Sequence, residues 1–174
     1  MSSETGFFDL ISSRHSVRAF KQKELPNEVI EKILDAAQRA PSAGNLQSYQ
    51  IIVISNKEIQ KKLVKAAHDQ DYLAQASVVF VFCADPQNVS KEYGIRGEQL
   101  FCIQDASIAC VYAQIAAHAL GLSSVWIGAF NEDQVNEILG VGALRPVAML
   151  PVGYSDETPE ITDRRPQDEI IRRI

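Results

Sequence analysis

Arg14-His15-Ser16-Val17-Arg18 sets two guanidinium groups four residues apart around a hydroxyl, with an imidazole beside the first. Guanidinium groups donate planar, paired hydrogen bonds and a serine adds a short neutral one, so the set suits a phosphate. The same run would serve equally as a solvated surface turn, and spacing alone does not separate the two readings. Other phosphate devices are missing from the sequence. It has no Gly-x-x-x-x-Gly-Lys-Ser/Thr and no Gly-x-Gly-x-x-Gly, and Gly121, Gly128, Gly140 and Gly142 fall at turns without either spacing.

Metal and nucleophile chemistry find little support. His15, His68 and His118 are scattered, and no His-Glu-x-x-His or cysteine cluster occurs. The cysteines at 83, 102 and 110 are odd in number and form no Cys-x-x-Cys, so each is expected to be a small buried hydrophobe in a cytoplasmic protein. No Gly-x-Ser-x-Gly is present. A phosphate grip without an evident catalytic side chain suggests that a cofactor performs the chemistry.

The elements that must position these residues follow from periodicity. A short helix is expected over Thr5 to Ser12. Pro26 opens a second, with Val29, Ile30, Ile33, Leu34 and Ala37 at helical spacing and Pro41 ending it. Ser42 to Asn45 forms a loop. Ile51 to Ile54 is expected as a strand, and Lys57 to Ala67 as a helix burying Ile59, Leu63 and Ala67. Val78 to Cys83 is an unbroken β-branched and aromatic run, the pattern of a strand covered on both faces and closed by Asp85-Pro86. A central helix from Glu98 to Leu120 ends at Gly121. A strand over Val125 to Phe130, a helix capped by Asn131 with Gln134, and a strand from Pro146 to Val152 complete the core. This alternation gives an α/β or α+β sandwich with helices covering a small sheet.

A chain of 174 residues, 46% hydrophobic and 22% charged, supports one globular domain. Its formal charge of -5 argues against nucleic acid or anionic lipid as a partner. No secretory signal is visible at the start. The apolar stretch Ile103 to Leu122 carries Gln104, Asp105, Gln114 and His118, which would be costly in hydrocarbon, so a buried helix rather than a membrane span is expected.

Six segments in order resemble the nitroreductase family: Arg14-His15-Ser16-Val17-Arg18-Ala19-Phe20, Ala40-Pro41-Ser42-Ala43-Gly44-Asn45-Leu46-Gln47, Ile103-Gln104-Asp105-Ala106-Ser107, Gly121 through Phe130, Pro151-Val152-Gly153-Tyr154, and Arg164-Arg165-Pro166. The resemblance covers nearly the whole chain and matches the family's shorter members. It implies an α+β fold, a helix-flanked mixed, mainly antiparallel sheet in a three-layer sandwich. It further implies a homodimer with FMN at the subunit interface, residues 155–174 being an extension that packs on the partner.

By the same resemblance, Arg14, Ser16 and Arg164 would meet the phosphate, with His15 alongside and Arg165 as the alternative to Arg164. Arg18 would reach the pyrimidine edge of the flavin. Pro41, Ser42, Ala43, Asn45 and Gln47 would come from the partner subunit, and Trp126, Ile127, Gly128 and Ala129 would line the other face. The implied activity is reduction of a small electron-poor acceptor, a nitroaromatic or quinone, by NADPH or NADH through ping-pong hydride transfer. An FMN sensor or store, and a branch using oxygen or a specialised acceptor, are the alternatives. Two departures stand out: Ser48-Tyr49 replaces a frequent Pro-Trp, and Thr162 stands where a lysine is frequent.

Overall fold

Val78-Val79-Phe80-Val81-Phe82-Cys83-Ala84 has no polar side chain for either face, and it forms the strand that two layers of helices cover. The computed structural model describes residues 3–174. In chain order the elements are α1 (Ser3–Ser13), α2 (Asn27–Gln38), β1 (Tyr49–Ile54), α3 (Lys57–Ala66), α4 (Tyr72–Gln75), β2 (Val78–Ala84), α5 (Pro86–Arg96), α6 (Cys102–Ala119), β3 (Ser123–Ser124), α7 (Glu132–Leu139), β4 (Arg145–Gly153) and α8 (Gln167–Ile170). A 3-10 turn spans Ala43–Asn45, and a π-helical turn, Gly97–Phe101, joins α5 to α6.

The strands lie in the order β1-β2-β4-β3 and every adjacent pair is antiparallel. An isolated parallel bridge, Ser16 to Ser124, adds the mixed character. Side chains alternate across β2. Val78, Phe80, Phe82 and Ala84 pack with Ile33 and Ala37 of α2 and with Ala106, Ala109 and Ala113 of α6. Val79, Val81 and Cys83 pack with Leu63 of α3, Leu73 of α4 and Val135 of α7. The result is the expected three-layer α+β sandwich.

Several boundaries follow from local chemistry. Asn56 Oδ1 accepts from the backbone N–H of Glu58 at 2.9 Å, and Asn131 Oδ1 from that of Gln134 at 2.9 Å, so both helices open on side-chain caps. Gly140 closes α7 in the left-handed conformation, φ 63°. The apolar stretch ending α6 is a core helix, as expected. Its buried face includes Cys102, Asp105, Ala106, Ala109, Cys110, Ala113, Gln114 and Ala117. All three cysteines are buried and free, and burial pushes the Cys83 thiol up to about 11, which leaves it unreactive at neutral pH.

Four expectations are revised. Pro26 sits just before α2 rather than in its first turn. The strand expected over Val125 to Phe130 does not form: β3 lies just before it, and within the stretch Ile127 makes an isolated bridge to Met149. Asp85-Pro86 does more than end β2: Asp85 Oδ1 accepts from the Asn88 N–H at 3.1 Å and Pro86 takes the first turn of α5. In α3, Gln60 rather than Ile59 is fully buried, its amide donating to the Ile54 carbonyl at 2.9 Å. Because Phe80 is wholly buried at the centre of the sheet, Phe80→Ala should lower the unfolding free energy by about 3–5 kcal/mol, read by urea denaturation.

Candidate functional site

After α1 the chain runs extended beside β3, with the Val17 N–H donating to the Ser124 carbonyl at 3.1 Å. Val17 and Phe20 enter the core. Anchoring Val17 leaves its neighbours Ser16 and Arg18 on the other side of the extended backbone. The far end of the chain returns to the same place: the Asp156 N–H donates to the Ala19 carbonyl at 2.9 Å, and the Arg18 N–H donates to Glu157. Arg14, His15, Ser16 and Arg18 thereby share a cavity of about 130 Å³ with Glu160, Thr162 and Arg164. Arg165 is turned away and pairs with Glu169 at 3.1 Å.

The electrostatics of this cavity favour an anion. Burial and the neighbouring Arg164 charge both lower the Arg14 pKa from its ordinary value. Among the described residues, neither Arg14 nor Arg164 forms an ion pair. His118, in the last turn of α6, stands behind this group with its Nε2 2.9 Å from Ser13 Oγ. Burial, then the charges of Arg14 and His15, hold His118 below its usual pKa, against a raising hydrogen bond from the Leu122 backbone.

The 126–129 strap adjoins the same edge. Ile127 does not present its side chain there: it is buried in the core, and its N–H and C=O pair with Met149 at 2.9 and 3.0 Å. Trp126, Gly128 and Ala129 remain partly or fully accessible. Two residues the sequence did not single out tie the strap to Arg18. Gln70 donates to the Ala129 carbonyl at 3.1 Å and to the Ala67 carbonyl at 2.8 Å. It accepts from the Tyr72 hydroxyl. Burial raises the Tyr72 pKa and the nearby Arg18 charge partly offsets it. The signal was faint: a polar turn in which His68 and Asp69 take positive φ, 55° and 59°.

Pro41 to Gln47 stand elsewhere. Pro41, Ser42 and Ala43 line a cavity of about 550 Å³ with Phe101, Ile103, Asp105 and Ile108 at the start of α6. The loop carries left-handed residues at Gly44, Asn45 and Gln47, φ 55°, 58° and 44°. Only Gly44 takes such a φ without a Cβ penalty, and a Cβ there would approach the Tyr93 hydroxyl to 2.6 Å. The Gln47 side chain donates to Asn45 Oδ1 at 2.8 Å, closing the loop on itself. Asp105 and His118 are thirteen residues apart, so the loop and the arginine cavity lie about 20 Å apart along α6.

The model of the nitroreductase family matches residues 11–71 and 69–154. The chain belongs to the nitroreductase family. It is 33% identical over 173 residues to a Methanothermobacter thermautotrophicus protein named for NADH dehydrogenase and NAD(P)H nitroreductase activity, covering 97% of this chain and 87% of that one. An Archaeoglobus fulgidus protein of the same name is 35% identical over 171 residues, covering 94% and 95%. Among solved structures, the NfrA1 nitroreductase of B. subtilis superposes with a TM-score of 0.88 at 27% identity, covering 95% of this chain and 72% of that one. The NADPH:FMN oxidoreductase of Vibrio harveyi, complexed with NAD+, gives 0.87 at 25% identity, covering 95% and 76%. The nitroreductase fold thus accounts for nearly the whole chain.

The depressed His118 pKa gives a pH dependence. The unfolded chain takes up a proton near the ordinary value of 6.5 while the folded protein still holds His118 neutral. Stability of the flavin-free protein should therefore fall as pH drops below about 6.5 and level off below the folded pKa. His118→Gln should flatten that part of a thermal-denaturation series against pH.

Proposed function

We propose that this chain is an FMN-dependent NAD(P)H oxidoreductase that reduces small electron-poor acceptors such as nitroaromatics or quinones, acting as a cytoplasmic homodimer. The observation that carries the reading is the convergence of Arg14, Ser16 and Arg164 on one small cavity. Two guanidinium groups that repel one another, with hydroxyls beside them, match a phosphate monoester dianion in size, charge and donor chemistry. Flavin phosphate fits because Arg18 and the strap continue from that cavity towards room for a ring. Bound FMN would supply the electron transfer between NAD(P)H and the acceptor.

The chain's own residues would bind and orient. Arg14, Ser16 and Arg164 fix the phosphate end, with His15 and Thr162 beside them. Arg18 holds a positive charge at the pyrimidine edge, which favours a reduced, more negative ring. Gln70 and Tyr72 hold Arg18 and the Ala129 carbonyl in register. Trp126, Gly128 and Ala129 border one face of the ring through side chains and backbone, Ile127 through backbone alone.

Assembly follows from the 20 Å gap: Pro41, Ser42, Ala43, Asn45 and Gln47 would close the other face from the partner subunit. Two further observations support a dimer. Phe7, Phe8 and Ile11 of α1 and Val111, Tyr112 and Leu120 near α6 leave large apolar surface exposed. The segment 155–174 exposes Ile161, Ile170, Ile171 and Ile174 with little of its own chain to cover them, as an arm wrapping a partner would. Buried, unpaired cysteines suit a reducing compartment.

Fluorescence titration tests the phosphate assignment. Removing a charge-assisted contact of this kind costs roughly 1.5–3 kcal/mol, so Arg14→Ala should weaken FMN binding by about ten- to a hundredfold. Riboflavin, which lacks the phosphate, should be bound no less tightly by the variant than by the parent. Arg165→Ala should leave both affinities unchanged. Equal FMN affinity for Arg14→Ala and the parent would rule out the assignment.

A further inference from the structure

Asp105 is a carboxylate with 2% exposure in the apolar face of α6, far from any arginine of the phosphate cavity. A buried carboxylate is retained only where donors replace its water. Its donors are backbone amides of the flavin loop. The Ala43 N–H donates to Oδ1 at 2.9 Å, and the Ser48 N–H points to Oδ2 at 3.4 Å. Between those two amides lie the three left-handed residues, Gly44, Asn45 and Gln47. Left-handed backbone at the two non-glycine positions costs on the order of 1–2 kcal/mol per residue and persists only where the surroundings impose it. The loop's other anchors, Asn88 donating to the Leu46 carbonyl at 3.1 Å and the Asp85 N–H donating to the Ser48 carbonyl at 2.9 Å, hold its middle and exit. Within the loop the Gln47 N–H donates to Ser42 Oγ at 3.0 Å; from outside it, among the described residues, Asp105 holds the entry. The Ser48 hydroxyl is buried without a partner, so that residue's hydrogen-bonding part is played by its backbone.

We infer that Asp105 is a positioning residue for the flavin site of the partner subunit, clamping the Ser42–Ala43 entry of the loop to the central helix. The inference rests on the FMN and dimer reading above. It adds that each site depends on a buried carboxylate in the subunit that does not hold the phosphate. A clamp of this kind acts on the ring and ribityl end and is indifferent to the phosphate.

Asp105→Asn keeps the size and one acceptor but places an amide against the Ser48 N–H. Ala43→Pro removes the Ala43 donor directly. It is compatible with the backbone, because Ser42 is already extended (φ −140°, ψ 160°), as a residue before proline must be. Hydrogen exchange on flavin-free protein reads the clamp without the cofactor. The amides around 43–48 should exchange at least about tenfold faster in either variant, while those of α6 beyond Ala109 stay unchanged. Flavin titration should then show FMN and riboflavin weakened by the same factor, about tenfold, in contrast to Arg14→Ala. Ser48→Ala should change neither.

Mixed dimers decide the geometry. A dimer of one Arg14→Ala subunit and one Asp105→Asn subunit should regain one site of parental affinity, because both lesions fall in the other site. Absence of that site would overturn the cross-subunit role. Unchanged exchange in both clamp variants would overturn the clamp itself, and so would a loss of FMN affinity alone with riboflavin unaffected. If the parent protein bound neither flavin, the functional reading would fail while the exchange result still judged the clamp.

Discussion

Two like charges share one small cavity and, among the described residues, neither is in an ion pair. Arg14 and Arg164 come from opposite ends of the chain, and burial, with the Arg164 charge beside it, lowers the Arg14 pKa. Bringing them together requires α1 to deliver one, a short parallel pairing beside β3 to hold the next residues, and the 155–164 return to deliver the other. Neither guanidinium gains anything from its neighbour. The core supplies the free energy that keeps them adjacent, through the side chains of Val17 and Phe20. An anion between the arginines converts the repulsion into two charge-assisted grips.

The rest of the sandwich follows from the need to hold that edge rigid. β2 is buried on both faces, so its register with β1 and β4 is fixed by every side chain it carries. β4 in turn pairs with β3 and with Ile127, which places the strap beside the arginines. α6 runs beneath the whole assembly. Its first half holds the 41–48 loop through Asp105 and its last turn holds His118 against Ser13. One helix therefore carries the 41–48 loop near its start and the arginine cavity near its end.

Much of this was legible in the residues. The unbroken apolar run of β2, the Asn131 cap and the Gly121 and Gly140 stops each state a local physical requirement, and each of those features formed where it was expected. What escaped depended on partners distant in sequence. Gln70 and Tyr72 sit in a short polar turn whose meaning comes only from Arg18 and Ala129 on other segments. α5 has an exposed, largely polar surface with Val89 as its buried residue, so no stripe announced it. Val125 to Phe130 has strand composition, yet β4 offers it only the Ile127 pairing, and the rest stays a strap. Arg164 lines the arginine cavity whereas Arg165 pairs with Glu169, a difference that two adjacent arginines do not announce in sequence.

In the proposed dimer, dividing each site between subunits would couple assembly to ligand binding. A single subunit carries the arginine cavity and a separate 41–47 loop, and it leaves the apolar surface of α1 and the tail isoleucines in water. On that reading, covering that surface and completing the site are the same event. A ligand that touches both subunits binds the dimer more tightly than the separated chains, so by linkage it must strengthen the dimer by the same free energy. The strained loop fits this logic. Its entry amide, that of Ala43, donates to Asp105, so under the proposed clamp the ordering cost is met in folding and is not charged against binding. Conversely, weakening the clamp would make the loop's disorder a cost of every binding event. On the proposed reading, flavin affinity would be set as much by a helix-borne carboxylate in one subunit as by the arginines of the other.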